Sequence, residues 1–95
     1  MALAARRGAI EKIAALVMEL AQAASQSSCH PAASFDLPLT RGEIAALLGL
    51  TIETVSRSLT ALEDDGLIRR KGARGIELID PARLEEKAGA APQTT

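Results

Sequence analysis

The sequence predicts a mainly α-helical domain with a small β-hairpin, and three observations predict it. Apolar residues recur at helical spacing over residues 9–24 and again over 40–65. Gly49 and Gly66 stand where the two later helical patterns stop. Two short apolar runs flank the basic, glycine-containing turn Lys71-Gly72-Ala73-Arg74.

The first helix is set by Ile10, Ile13, Ala14, Leu16, Val17, Leu20 and Ala21, with Glu11, Lys12, Glu19 and Gln22 between them. It should run for about four turns, from near Ala9 to Ala24. Its apolar stripe needs cover from the rest of the domain or from another chain. Residues 25–34, rich in Ser and Ala and holding Pro31, read as a loop. Leu37-Pro38-Leu39 reads as a short extended piece, because Pro38 turns Leu37 away from the helical region.

Thr40 is the next N-cap, and Glu43, three residues on, completes a capping box. Ile44, Leu47 and Leu48 are the expected buried stripe of this second helix. Gly42 inside it costs about 1 kcal/mol relative to alanine. After Gly49, Thr51 caps a third helix, whose Glu53 suits the positive end of the helix dipole. Val55, Leu59 and Leu62 repeat on one side of it; Glu53, Ser56, Arg57 and Thr60 repeat on the other. It should end near Asp65. Residues 67–79 then form the hairpin. Asp80-Pro81 opens a last helix through Ala88, with Pro in the favoured first position, and 89–95 read as a frayed tail. The whole is one domain, a winged helix-turn-helix: a three-helix core, a leading helix over 9–24, the helix-turn-helix over 40–65, a wing over 67–79 and a last helix over 81–88.

Composition narrows the function. Ninety-five residues make one small domain, and its core is aliphatic, since Phe35 is the sole aromatic residue. Such a domain is only modestly stable, and a partner chain would help it. The net charge is −1, a mild argument against nucleic acid, but position matters more than sum. Arg69, Arg70, Lys71 and Arg74 form a basic cluster with no acid among them, whereas Glu63, Asp64 and Asp65 precede it and Glu77, Asp80, Glu85 and Glu86 follow. The low total predicts weak non-specific binding and a gain from dimerisation.

A single cysteine, Cys29, forbids an intrachain disulfide, and its neighbour His30 adds no ligand set for a metal. No apolar run reaches the length of a membrane span. Arg6 and Arg7 precede an amphipathic helix and not a signal sequence, so a cytoplasmic protein is the simple reading. No nucleophile–base pair, phosphate-cradling glycine loop or ligand cluster occurs. The chain therefore reads as no enzyme, with no cofactor.

The informative group is Glu53, Ser56 and Arg57. At i, i+3 and i+4 they share one helix face. They are types that read base edges in the major groove: Arg pairs with guanine O6 and N7, Glu accepts from cytosine N4, and Ser is short enough to let the backbone approach. The bland alternative is a surface ion pair between Glu53 and Arg57 on a solvated helix.

With these elements in place, the chain resembles the C-terminal DNA-binding domain of the Crp/Fnr family of bacterial transcription regulators, and is most similar to its Fnr and FixK branch. The resemblance rests on Leu39-Thr40-Arg41-x-Glu43-Ile44-Ala45-x-x-Leu48-Gly49-Leu50-Thr51-x-Glu53-Thr54-Val55-Ser56-Arg57, and continues through Leu62-Glu63-x-x-Gly66-Leu67-Ile68. It spans roughly residues 9 to 88. Ser58 departs from it, standing where many members carry a larger apolar residue, so looser local packing is expected. Members place an effector-binding β-roll and a long dimerisation helix ahead of this domain. Neither reads in these residues, so the resemblance assigns no sensed effector.

The resemblance implies double-stranded DNA as the partner, read as an inverted repeat by a homodimer whose recognition helices lie one DNA turn apart. RNA polymerase is a candidate further partner. Where the Crp branch usually has arginine before the glutamate, this chain has Ile52, which offers only an apolar contact to a thymine methyl. That implies a TTGA-like half-site and not TGTGA. Phosphate contacts are expected from Thr40 and Arg41, from Thr51 and Thr54, and from Lys71 at the wing tip, with Arg69, Arg70 and Arg74 adding charge. The rival readings are a winged-helix module that docks protein, and a DNA binder of another winged-helix family such as the MarR type, which carries dimer-building helices beyond the wing.

Overall fold

The computed structural model describes residues 8–25 and 32–89. Helix α1 spans Ala9–Ala24, and its first turn is closed by the Glu11 carboxylate, which accepts from the Gly8 N–H at 2.7 Å. Ile13, Ala14, Leu16, Val17, Met18 and Ala21 make its buried face. Strand β1, Ser34–Asp36, follows. Helix α2, Arg41–Leu48, begins at Thr40 with both halves of the capping box formed: the Thr40 N–H donates to Glu43 Oε1 at 2.8 Å, and the Glu43 N–H donates to Thr40 Oγ1 at 3.1 Å.

Gly49 ends α2 with φ 71°, in the left-handed region that a side chain disfavours, and the Leu50 N–H returns to the Ala45 carbonyl at 2.8 Å. Three residues later helix α3, Ile52–Asp64, departs at 101° to α2. That angle and that short turn are those of a helix-turn-helix. Strands β2, Ile68–Lys71, and β3, Gly75–Leu78, form the hairpin. Gly75 is required there, because a Cβ would lie 2.5 Å from the Lys71 carbonyl oxygen. Helix α4, Pro81–Lys87, is capped by Asp80, whose Oδ1 accepts from the Arg83 N–H at 3.2 Å.

The core is aliphatic. Helix α1 packs across α3 and α4, α2 packs on α3, and β2 closes against α3. Ile13, Val17, Val55, Leu59, Leu62, Leu67, Ile68, Ile76 and Leu84 are fully buried. Ser58 joins this interior as the one buried polar residue among those described.

Two expectations are corrected. The hairpin belongs to a three-stranded antiparallel sheet of order β1-β3-β2, with Phe35 opposite Ile76 and Arg70 opposite Ile76 from the other side. The third strand takes Ser34, the last residue of the expected loop, with Phe35 and Asp36, to which no element was assigned, and stops short of the expected extended piece at Leu37. Its pairing is with residues some forty positions away, and three residues carry too little periodicity to announce a strand. Leu47 is not in the buried stripe of α2: it is 61% exposed, and Ala45 takes the inner position beside Ile44. Leu47 instead sits at the rim of a shallow groove between α1 and α2, with Lys12, Leu16 and Leu48. An eight-residue helix has room for a narrow stripe only, and the tilt of α2 on α3 decides which leucine falls outside it.

Candidate nucleic-acid interface

The outward face of α3 follows from its inner one. Val55, Ser58, Leu59 and Leu62 are buried, which turns Glu53, Arg57 and Thr60 to solvent and leaves Ser56 half-buried at the edge. Ile52, in the first turn, is 56% exposed. Glu53 and Arg57 form no ion pair with each other or with any described residue. Glu53 and Arg57, at i and i+4, are thus available to a partner on one face, and Ile52 is exposed in the first turn beside them. The Ser56 carbonyl accepts from Thr60 Oγ1 at 3.0 Å.

The threonines are already engaged. Thr51 Oγ1 accepts from the Thr54 N–H at 3.1 Å and donates to Thr54 Oγ1 at 2.9 Å, so this pair organises the start of α3. Thr40 does the same for α2 within its capping box. Both remain exposed at helix N-termini, where backbone N–H groups favour an anion. Arg41 opens α2 half-buried, and its Nε is enclosed without a hydrogen-bond partner.

The basic cluster of the hairpin divides in two. Arg70 is drawn inward: its side chain is 28% exposed, its Nε donates to Glu63 Oε1 at 2.9 Å, and its backbone N–H reaches Glu63 Oε2 at 3.4 Å. Those two hydrogen bonds, side chain first, hold the Glu63 carboxyl below its ordinary value near 4.5. The contact ties the last turn of α3 to β2, so Arg70 braces the wing and is turned from the role of a free cation. Arg69, Lys71 and Arg74 stay exposed.

Glu77 is the residue that sequence reasoning missed. Counted there only as part of an acidic C-terminal stretch, it lies directly across from Arg69 in the hairpin register. Its Oε1 is 3.9 Å from Arg69 Nη1 and 3.6 Å from Lys71 Nζ. The alternation of β3, with Ile76 and Leu78 buried and Glu77 on the other face, was the available signal. Among the described residues no group of three His, Cys, Asp or Glu side chains is placed to hold a metal. Cys29 and His30 lie outside the described residues. No single helix among those described is long and apolar enough to cross a membrane.

Comparison with known proteins places this geometry. Residues 11–87 match the model of the Crp-like helix-turn-helix domain. The chain is 47% identical over 92 residues to the transcriptional activator protein FnrL of Cereibacter sphaeroides, covering 94% of this chain and 37% of that protein. It is 45% identical over 94 residues to the nitrogen fixation regulation protein FixK of Bradyrhizobium diazoefficiens, covering 95% of this chain and 37% of that one. Among solved structures, that of FixK2 from Bradyrhizobium japonicum superposes with a TM-score of 0.74 at 36% identity, over 85% of this chain and 38% of the other. The chain spans somewhat more than a third of the length of these relatives.

Proposed function

The chain belongs to the Crp/Fnr family of helix-turn-helix domains, and from that premise we propose that it is the DNA-reading part of a transcription regulator and performs no catalysis. One observation carries the reading: α3, held at 101° to α2 by the Gly49 turn, presents Ile52, Glu53 and Arg57 outward with neither charge paired among the described residues. An unpaired carboxylate on a DNA-facing helix is repelled by phosphates, so a specific contact with cytosine N4 is a physical reason to hold it there. Arg57 pairs with guanine O6 and N7. Ile52 meets a thymine methyl, which favours a TTGA-like half-site.

Thr40, Arg41, Thr51 and Thr54 contact phosphates beside the two helix N-termini, and Lys71, Arg69 and Arg74 do so at the wing, with Arg70 as the brace behind them. A homodimer on an inverted repeat doubles the contacts that one weakly charged domain makes. RNA polymerase is the further partner in this reading, and the cytoplasm its compartment. The MarR type is disfavoured by family membership.

Fluorescence anisotropy over a salt series tests the proposal. Binding to a duplex with a TTGA inverted repeat should exceed binding to a scrambled duplex, and both should fall with salt. Equal affinity for the two duplexes would refute base reading by α3, and absence of salt-dependent binding would refute the DNA partner.

A further inference from the structure

The hairpin carries a carboxylate that the DNA reading does not use. Arg69, Arg70, Lys71 and Arg74 are four cations, but Glu63 and Glu77 lie against them. The local sum is therefore +2. Glu63 holds Arg70, and Glu77 lies within 4 Å of both Arg69 and Lys71. Of the four, Arg74 alone has no ion pair among the described residues.

Glu77 is not explained by stability. Its two partners are 65% and 58% exposed, and exposed pairs contribute little. Its Oε1 is enclosed and has no hydrogen bond, only the two cations within 4 Å, an arrangement that costs a carboxylate more than it would a neutral side chain. What the position does is electrostatic. Any phosphate that approaches Lys71 comes within about one Debye length, roughly 10 Å, of the Glu77 charge. It must also draw Lys71 from a carboxylate that already occupies the place of an anion.

We infer that Glu77 is an electrostatic brake on the wing: it holds Arg69 and Lys71 on the protein and lowers affinity for DNA of every sequence, so that tight binding depends on α3. This rests on the DNA reading above. Because the brake acts on phosphate contacts, it leaves the ratio of specific to non-specific affinity unchanged. Releasing it adds about one effective phosphate contact.

The test is Glu77→Gln, which keeps the shape and removes the charge, titrated by anisotropy against the TTGA inverted repeat and the scrambled duplex. Affinity for both should rise by about three- to tenfold at low salt, and the slope of log K against log salt should steepen by about 0.9. The gain should be smaller in a Lys71→Ala background, and Glu85→Gln, on α4, should give less. Glu77→Ala should move affinity in the same direction. Equal gains in the Lys71→Ala background and from Glu85→Gln would mean that net charge alone is at work, and would overturn the brake. A loss of affinity in Glu77→Gln would overturn it too, since Glu77 would then be orienting Lys71. If the parent chain binds neither duplex at low salt, the DNA reading itself fails and takes the brake with it; binding by the parent with no gain in Glu77→Gln defeats the brake alone.

Discussion

Arg57 and Glu63 show how differently two charged residues of one helix are used. Arg57 has no ion-pair partner among the described residues, so in the proposed complex its guanidinium gives up none of their contacts to meet a base. Arg57→Ala should cost about 1–3 kcal/mol on the cognate duplex and far less on a scrambled one, flattening the preference measured by competition titration. Glu63 is the opposite case, fastened to Arg70 at 2.9 Å. Its carboxyl is held below its ordinary value near 4.5 by the Arg70 hydrogen bonds. A folded-state value below the unfolded one adds stability above the unfolded value, and that stability disappears as pH falls through the folded one. The melting-temperature gap between the parent and Glu63→Gln should therefore be widest near neutrality and should close between about pH 5 and pH 2. A gap independent of pH would show that the carboxylate is not the group bracing the wing.

At the scale of elements, α2 is short and carries a glycine. It has only eight residues, and Gly42 sits in its first turn. A Cβ at Gly42 would meet Ile52 Cδ1 at 3.7 Å and Thr40 Oγ1 at 3.8 Å, which are ordinary contact distances. Gly42→Ala should thus raise stability by about 0.5–1 kcal/mol through helix propensity and reduced freedom of the unfolded chain. For a domain of this size 1 kcal/mol raises the melting temperature by about 4–8 °C. The new methyl also lies against Ile52, so thermal melts and DNA titrations of this variant together report whether buttressing that side chain alters binding.

For the molecule as a whole, α3, the proposed reader, is also the keystone, because its inner face is shared by α1, α2 and β2. Leu62 is fully buried on that face, next in sequence to the Glu63 brace. Leu62→Ala should destabilise the domain by about 2–5 kcal/mol, visible in denaturant titration. Such a loss is a large part of the stability of a small domain. It should lower binding to specific and scrambled duplexes together, which separates a folding defect from the selective effect of Arg57→Ala.

Where helices begin and end was legible from single residues. Thr40 with Glu43, Thr51, Gly49 and Pro81 act on backbone groups within a few positions of themselves, so their meaning survives without the fold. The outward placement of Glu53 and Arg57 was legible for the same reason, since a fixed helical period separates them from Val55, Leu59 and Leu62, whereas Ser56, expected beside them, is half-buried. Strand β1, the exposure of Leu47, the diversion of Arg70 to Glu63 and the placement of Glu77 beside Lys71 were decided only in three dimensions. Each depends on how elements distant in the chain meet, and local periodicity carries no information about which distant carboxylate a given cation will find.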